Sequence, residues 1–302
     1  MTITIGTDCS GMEAPIEALK NLKVKYVHKW SCDIDKSAKK TILANHKPEV
    51  FFDNIMAKRF LPKVNIYVAG FPCQTFSSAG NREGMKDKAR GCIFNHCVKA
   101  IKQSDPDVFI LENVKGLLSI DGGNTFKKII KTLEKLKVYK VIYKILNSND
   151  YGTPQNRNRV FILGIKTSKM KKEFEWPKPK KLKFTANELL AKTTLPKRES
   201  FSPRQQFILD NCEAEFCDFN FKFNKYTNLK FCIPPITTHP RIFSTTYKRF
   251  LTTDELLIFQ GFNPKVFKRV VPDSYIRHQI GNSMTVTTLT SLFKNILDCV
   301  KF

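Results

Sequence analysis

A chain of 302 residues can bury a large core and hold one big domain beside a smaller one. Its 51 Lys/Arg against 27 Asp/Glu leave a net charge of +24, which points to a polyanionic partner, nucleic acid before a membrane surface. No run of about 18 apolar residues occurs, which excludes a membrane-spanning helix.

Residues 2–6 alternate Thr and Ile and read as a first strand, followed by the turn Asp8-Cys9-Ser10-Gly11-Met12. A helical pattern runs over about 14–19, a second strand over 24–32 ends at Asp33, and a helix follows over 36–43. Residues 65–69 form a short apolar strand that stops at Gly70 and delivers Phe71-Pro72-Cys73-Gln74 into a loop of small polar residues. The pattern then predicts a helix over 93–101, a strand over 108–111 ending in Glu112-Asn113-Val114, a helix over 126–136, and strands over 138–146 and 159–165. Short strands alternating with helices are βαβ units, so the expected class is α/β with a mostly parallel sheet covered by helices.

The character changes near Lys169. Between Leu163 and Arg204 twelve Lys/Arg meet four Asp/Glu, interrupted by Pro177, Pro179 and Pro196. Up to Pro240 the chain stays basic, aromatic and irregular, and helical patterns resume over 254–259 and 284–300. The expected organisation is a catalytic and cofactor-binding domain over 1–168, a small basic domain over 169–243, and a return to the first domain over 244–302. Nine cysteines without a short-spaced framework read as thiols of a reducing compartment. The N-terminus starts on a strand with no signal peptide, so the expected location is intracellular: cytoplasm or nucleoid, or a nucleus or viral factory.

A cysteine at the carboxyl end of a strand, Cys73, sits where an α/β fold gathers reacting groups, and a thiolate is the strongest side-chain nucleophile near neutral pH. The first strand-turn-helix, Gly6 to Gly11, lacks the G-x-G-x-x-G fingerprint, which leaves room for a cofactor without phosphates. Asp33 ends the second strand where an acid is expected to bind a ribose diol, and Asp53, near the start of the third unit, is a candidate partner for an adenine amine. S-adenosylmethionine fits such a set.

These stretches together resemble the DNA (cytosine-5) methyltransferase family, in order, over about 1–167 and 245–302. Gly70-Phe71-Pro72-Cys73-Gln74 resembles the family's catalytic loop, whose cysteine attacks C6 of cytosine. Glu112-Asn113-Val114 resembles the motif whose glutamate contacts N3 and the exocyclic amine, and Gln155-x-Arg157-x-Arg159 the motif supporting the loop and the target base. The resemblance implies an S-adenosylmethionine-dependent methyltransferase (Rossmann-like) fold with a small target-recognition domain. It implies a donor site from Asp8, Cys9, Ser10, Gly11, Met12, Asp33, Ile34, Asp53, Asn54, Ile55, Gly70, Pro72, Ile93, Asn282, Ser283 and Met284. DNA contacts are implied at Gln74, Ser77, Arg82, Lys86, Arg90, Thr237, Thr238 and Arg241.

The implied reaction is methyl transfer to C5 of a flipped cytosine in double-stranded DNA within a short recognition sequence. Cys73 adds to C6, and a protonated Glu112 answers charge developing at N3. A cognate restriction nuclease is a candidate partner, and a monomer suffices. Three positions depart from the family pattern: Cys9 for Phe, Glu13 for Gly and Asp254 for Arg, the last leaving the packing beside the recognition domain open. A zinc deaminase is disfavoured because P-C-x-x-C fails at Phe76. A structural zinc quartet of Cys212, Cys217, Cys232 and His239 lacks strict spacing, and no metal is expected. Methylation of transfer RNA and a DNA-binding regulator that no longer methylates are the alternatives.

Overall fold

The computed structural model describes residues 2–58, 60–72, 91–190, 200–220 and 231–302. Packing divides the chain into two compact units. Unit 1 takes Met1–Leu146, Asn158–Pro177 and Leu289–Phe302; unit 2 takes Asn147–Arg157 and Lys178–Thr288. These boundaries differ from the expected ones at three places. The excursion 147–157 belongs with unit 2, residues 169–177 fall with unit 1, and of residues 244–302 only the end from Leu289 falls with unit 1.

Unit 1 is built on a seven-stranded sheet of order β3-β2-β1-β4-β5-β7-β6. Its strands are β1 (Ile3–Asp8), β2 (Tyr26–Cys32), β3 (Val50–Phe52), β4 (Ile66–Ala69), β5 (Val108–Val114), β6 (Tyr139–Asn147) and β7 (Asn158–Lys166). The pairs β1–β2, β2–β3, β1–β4 and β4–β5 are parallel. The chain steps outward from β1 to β3 and restarts at β4 on the other side, so a topological switch point lies between β1 and β4. Asp8, Cys32, Ala69 and the end of β5 thereby share one edge of the sheet. Strand β7 runs antiparallel to β5, with Glu112 opposite Phe161 and Val114 opposite Arg159. An antiparallel neighbour enters from that same edge, so its first residues, and not its last, reach the ends of β1, β4 and β5.

Helices α1 (Ala14–Asn21), α2 (Lys36–Asn45), α3 (Gly91–Ser104) and α4 (Asn124–Glu134) connect the strands. Strand β4 is buried throughout and β5 nearly so, which is why both read as continuous apolar runs and not as alternating ones. Trp30, Tyr67 and Phe109 are fully enclosed, packed with Cys97 and Ile101 of α3 and Phe126, Ile129 and Leu133 of α4. Close packing fixes Gly6: a Cβ there would lie 2.3 Å from the Trp30 indole.

Unit 2 holds α5 (Ala186–Leu189), α6 (Pro203–Asp210), β8 (Phe216–Asp218), β9 (Ile242–Ser244), β10 (Arg249–Phe250), α7 (Thr253–Gln260) and α8 (Asp273–Asn282). An antiparallel sheet of order β10-β9-β8 carries a small phenylalanine core. Phe219 stacks on Phe243 at 5.4 Å, and Phe201 and Phe250 meet them edge-on. Thr252 and Glu255 form a capping box at the start of α7, and Glu255 also takes a buried two-pronged ion pair from Arg249. Asp254, where the family pattern has arginine, is exposed in that first turn and pairs with Arg269 at 3.3 Å. Cys212 and Cys217 are disulfide-bonded, which the reading of all nine cysteines as free thiols does not anticipate and which removes two sulfurs from the zinc quartet.

Helix α9 (Val286–Cys299) starts in unit 2 and ends in unit 1. Its unit 1 portion is tied to residues 169–175 by the Met170–Val300 bridge and by Asn295 Nδ2 on the Glu175 carbonyl at 2.8 Å. Among the described residues no helix is long and apolar enough to cross a membrane.

Candidate active site

The turn after β1 is held from beneath by buried polar side chains. Asp8 is almost wholly buried, ion-paired to Lys58, and accepts hydrogen bonds from Tyr67 Oη at 2.7 Å and Trp30 Nε1 at 3.2 Å. Its carboxylate is therefore engaged as a brace inside the sheet. Ser10 is likewise turned inward, its hydroxyl accepting from the Cys32 N–H at 2.9 Å. Met12 is buried and Cys9 takes the left-handed conformation at φ 51°. Burial, with Cys97, Asp8 and Asp33 nearby, raises the Cys9 thiol well above its usual range, so it stays neutral near pH 7.

Glu13 shows how this turn accepts a residue other than glycine. Its backbone sits at φ 58°, the left-handed region, where glycine costs least. Its fully buried Oε1 accepts from the Thr7 and Ser31 hydroxyls, both at 2.6 Å, and lies 3.3 Å from His28 Nε2. Burial pushes its pKa up, but the charge and hydrogen bond of His28, the charge of His46 and the Ser31 hydrogen bond together outweigh it and hold the pKa below the usual carboxylate value.

The groups left for a ligand lie one strand away. Asp33 is half-buried just past β2; its Oδ2 accepts from Gly11 N–H at 2.8 Å and its Oδ1 from Asp35 N–H at 2.9 Å. Each oxygen keeps a further lone pair for a hydroxyl. Burial raises its pKa despite those hydrogen bonds. Beside it Ile34 is 76% exposed, an apolar plate at a position where a core residue would be buried. A carboxylate for a diol and a plate for a flat ring fit the nucleoside of S-adenosylmethionine. Asp53 is exposed and paired with Lys39 at 2.8 Å; Asn54 caps a 3₁₀ turn, and Ile55 is buried.

At the same edge of the sheet, Glu112 and Arg159 meet at 3.2 Å, the carboxylate and guanidinium both mostly buried. They lie on one face because Glu112 opposes Phe161, two residues from Arg159. Next to Glu112, Asn113 Nδ2 donates to the Phe71 carbonyl at 2.9 Å, and Phe71 packs on Phe94 at 5.6 Å. Asn113 thus anchors the chain at the end of β4, with Gly70 partly open and Pro72 exposed. Sequence reasoning gave Asn113 no role; a buried amide following the motif glutamate was the available signal. Ile93 is half-buried on α3. Cys73, Gln74, Ser77, Arg82, Lys86 and Arg90 lie outside the described residues.

Gln155 and Arg157 belong to unit 2 and are engaged there. Gln155 Nε2 donates to the Phe259 carbonyl at 2.7 Å, and its Oε1 accepts from Ile236 N–H at 3.0 Å. Arg157 is buried and donates to the carbonyls of Ile236, Gly281 and Ser283 at 2.7, 2.9 and 2.8 Å. Both side chains pin main chain of unit 2, where the resemblance implied support of the loop and the target base. What they pin is the pair of segments holding Thr237, Thr238 and Asn282. A Cβ on Gly281 would lie 2.1 Å from the Thr237 carbonyl, so glycine is what lets these segments touch. Thr237 and Thr238 are half-exposed and Arg241 and Asn282 exposed, whereas Ser283 and Met284 are buried in this unit.

Comparison with known proteins identifies the family. The family described as C-5 cytosine-specific DNA methylase matches residues 7–298. The Type II methyltransferase M.Bsp6I of Bacillus sp. (strain RFL6) is 29% identical over 287 residues, covering 88% of this chain and 90% of the relative. The Type II methyltransferase M.HaeII of Haemophilus aegyptius is 32% identical over 283 residues, covering 89% and 85%. In fold, the S. pombe Dnmt2 methyltransferase superposes with a TM-score of 0.67 at 15% identity over 99% of both chains. A match running through both units, from the turn after β1 to the end of α9, leaves one conclusion: the chain belongs to the C-5 cytosine-specific DNA methylase family.

Proposed function

We propose that this chain transfers a methyl group from S-adenosylmethionine to C5 of a cytosine extruded from double-stranded DNA within a short recognition sequence. Family membership carries the reaction type, cytosine-5 methylation of DNA. The observation that best supports the catalytic assignment is the carboxyl edge of unit 1, where Glu112 meets Arg159 and Asn113 holds the chain two residues before Cys73.

Cytosine C5 is too weak a nucleophile to take a methyl group unaided. Addition of the Cys73 thiolate to C6 forms an S–C6 bond and makes C5 an enamine carbon. C5 gains the methyl group, loses its proton to a base, and the S–C6 bond breaks to restore the thiolate. Glu112 faces N3 and the exocyclic amine; its ion pair with Arg159 orients it in the free protein, and its hydrogen bond to N3 forms with the base bound. Bound S-adenosylmethionine supplies an electrophilic methyl; Asp33 and Ile34 are the residues that fit its nucleoside, and Gly11 orients Asp33.

Gln155 and Arg157 act as positioning residues for unit 2, and Arg159 is the arginine of that motif that works beside the base. Extrusion costs a few kcal/mol, about what backbone contacts and a pocket return. Gln74, Ser77, Arg82, Lys86, Arg90, Thr237, Thr238 and Arg241 are the proposed DNA contacts, on a chain whose charge suits a polyanion. An intracellular monomer working beside a cognate restriction nuclease completes the reading.

The test is a duplex carrying 5-fluorocytosine with donor present. It should trap a covalent adduct at Cys73, while Cys73→Ser should abolish methyl transfer and keep DNA binding. Label entering transfer RNA but not DNA would move the substrate to RNA, and DNA binding without transfer by the native protein would refute the enzymatic reading.

A further inference from the structure

Glu13 stands where the family pattern has glycine, and the methylation chemistry gives it no task. The position is unfavourable for any other residue: the backbone is left-handed at φ 58°, and the carboxylate is fully buried. Both costs fall in unit 1, two residues beyond Gly11, whose N–H holds Asp33.

The carboxylate closes a directed run of hydrogen bonds through this turn. Glu13 is ionised near pH 7, so its oxygens only accept. The Thr7 hydroxyl gives its proton to Oε1 at 2.6 Å and keeps its oxygen for the Ser10 hydroxyl, 2.7 Å away. Ser10 Oγ in turn accepts from the Cys32 N–H at 2.9 Å, and the Ser10 N–H donates to the Cys32 carbonyl at 3.0 Å. Ser31 donates to the same Oε1 at 2.6 Å, so one oxygen gathers the end of β1 and the end of β2. The main chain returns the link, with the Glu13 N–H donating to the Ser10 carbonyl at 2.9 Å. Gly11 follows Ser10, and Asp33 follows Cys32. The reach from the Gly11 N–H to the Asp33 carboxylate is therefore set by a network that converges on the Glu13 carboxylate. A glycine at this position would leave the Thr7, Ser10 and Ser31 hydroxyls with no anion to order them.

We propose that Glu13 is a positioning residue for the methyl donor: it holds the Ser10–Gly11 turn against Cys32 and Asp33 in the free protein, so that the ribose carboxylate is already aimed when S-adenosylmethionine arrives. The proposal rests on the reading of Asp33 and Ile34 as the nucleoside site, and it assigns the pre-organisation of that site to this chain's own departure from the family pattern. Affinity falls in proportion to the fraction of time a site is correctly formed, so loosening the turn weakens donor binding without touching the reacting atoms.

The experiment measures binding of S-adenosylhomocysteine, the demethylated donor, to the full chain by isothermal titration calorimetry without DNA, beside thermal denaturation and steady-state methyl transfer. Glu13→Gly supplies the family residue and relieves the left-handed backbone. It should raise the dissociation constant about tenfold, the equivalent of one charge-assisted hydrogen bond diverted to ordering the turn. The donor KM should rise by a similar factor, while kcat at saturating donor stays within about twofold of the native value. Glu13→Gln keeps one acceptor oxygen and should recover part of the loss; should Glu13→Gly melt early, it carries the same split. Tyr139→Phe is the control for a merely structural effect. It removes a buried hydrogen bond to the Pro106 carbonyl, at the amino end of β5, and should lower the melting temperature with donor binding unchanged. Glu13 variants that bind the donor like the native protein, or that lose kcat alone, overturn the positioning role. So does a Tyr139→Phe protein that loses donor affinity as they do. Asp33→Ala separates the two readings: if it binds the donor like the native protein, the nucleoside site and this inference fall together. Binding lost in Asp33→Ala but intact in Glu13→Gly sinks the inference alone.

Discussion

Arg157 and Arg159 stand two residues apart and engage different partners, so substitution can separate the roles proposed for them. Arg157→Gln leaves the carbonyls of Ile236 and Gly281 without this donor in a buried setting, and takes one of two from the Ser283 carbonyl, which keeps Gln260 Nε2 at 2.5 Å. An unsatisfied buried polar group costs about 1–3 kcal/mol, and water admitted to the vacated space recovers part of it, so a net loss of about 3–5 kcal/mol is expected. For a chain of this size that lowers the melting temperature by roughly 6–15 °C. Arg159→Gln removes a mostly buried guanidinium 3.2 Å from Glu112 but leaves an amide beside the carboxylate, and should lower the melting temperature by less than Arg157→Gln does. Methyl transfer should respond in the opposite sense: Arg159→Gln loses at least about a hundredfold in kcat at a temperature where it is folded. Arg157→Gln, assayed well below its melting point, should retain far more. Thermal denaturation followed by circular dichroism and transfer of labelled methyl groups read the two quantities. An Arg157→Gln protein that melts like the native one yet has lost turnover would refute the positioning role.

Other expectations follow from the buried polar groups of unit 1. Lys58→Met strands the Asp8 carboxylate in the interior and should cost about 3–5 kcal/mol in urea denaturation, with Asp8→Asn in the same chain recovering much of it. If the single variant is as stable as the native protein, the ion pair is not what braces β1. His46 is buried and its pKa is lowered to about 4, mainly by burial. The unfolded chain therefore takes up a proton near pH 6.5 that the folded one refuses, and stability should fall by about 3 kcal/mol between pH 6.5 and 4. His46→Leu should flatten that slope, whereas the depressed Glu13 pKa weakens the fold only at lower pH, below the ordinary carboxylate value. Asn113→Ala frees the Phe71 carbonyl and should lower kcat more than it changes the affinity for S-adenosylmethionine; equal losses in both would argue against a role in placing the loop.

Much of unit 1 is legible from periodicity because its strands and helices are short, apolar and separated by turns. Strand β4 and the start of β5 fall at the expected positions for that reason. Helix α8 escapes notice: its sequence is mostly polar and ends in Gly-Asn, and it is held by the burial of Ile276, Gln279 and Ile280, which no local pattern announces. The orientation of β7 is equally hidden, since alternation looks the same in either direction. Yet that orientation is what makes Arg159 a neighbour of Glu112. A motif likewise cannot tell whether an arginine points to a substrate or to a carbonyl, so Arg157 and Arg159 separate only in three dimensions. Asp8 reads as an acid available to a ligand because nothing in the sequence shows that Lys58, fifty positions on, will claim it.

The passage of Asn147–Arg157 through unit 2 bears on how this unit can be exchanged between relatives. A graft of residues 178–288 alone would install a foreign module on the recipient's own Gln155 and Arg157, whose bonding partners it would then have to match. Transplants that carry both pieces, with the joins placed at 146/147, 157/158, 177/178 and 288/289, keep each donor wedded to the carbonyls it evolved against. Hybrid enzymes built on the two-piece boundary should fold where single-cut chimeras precipitate.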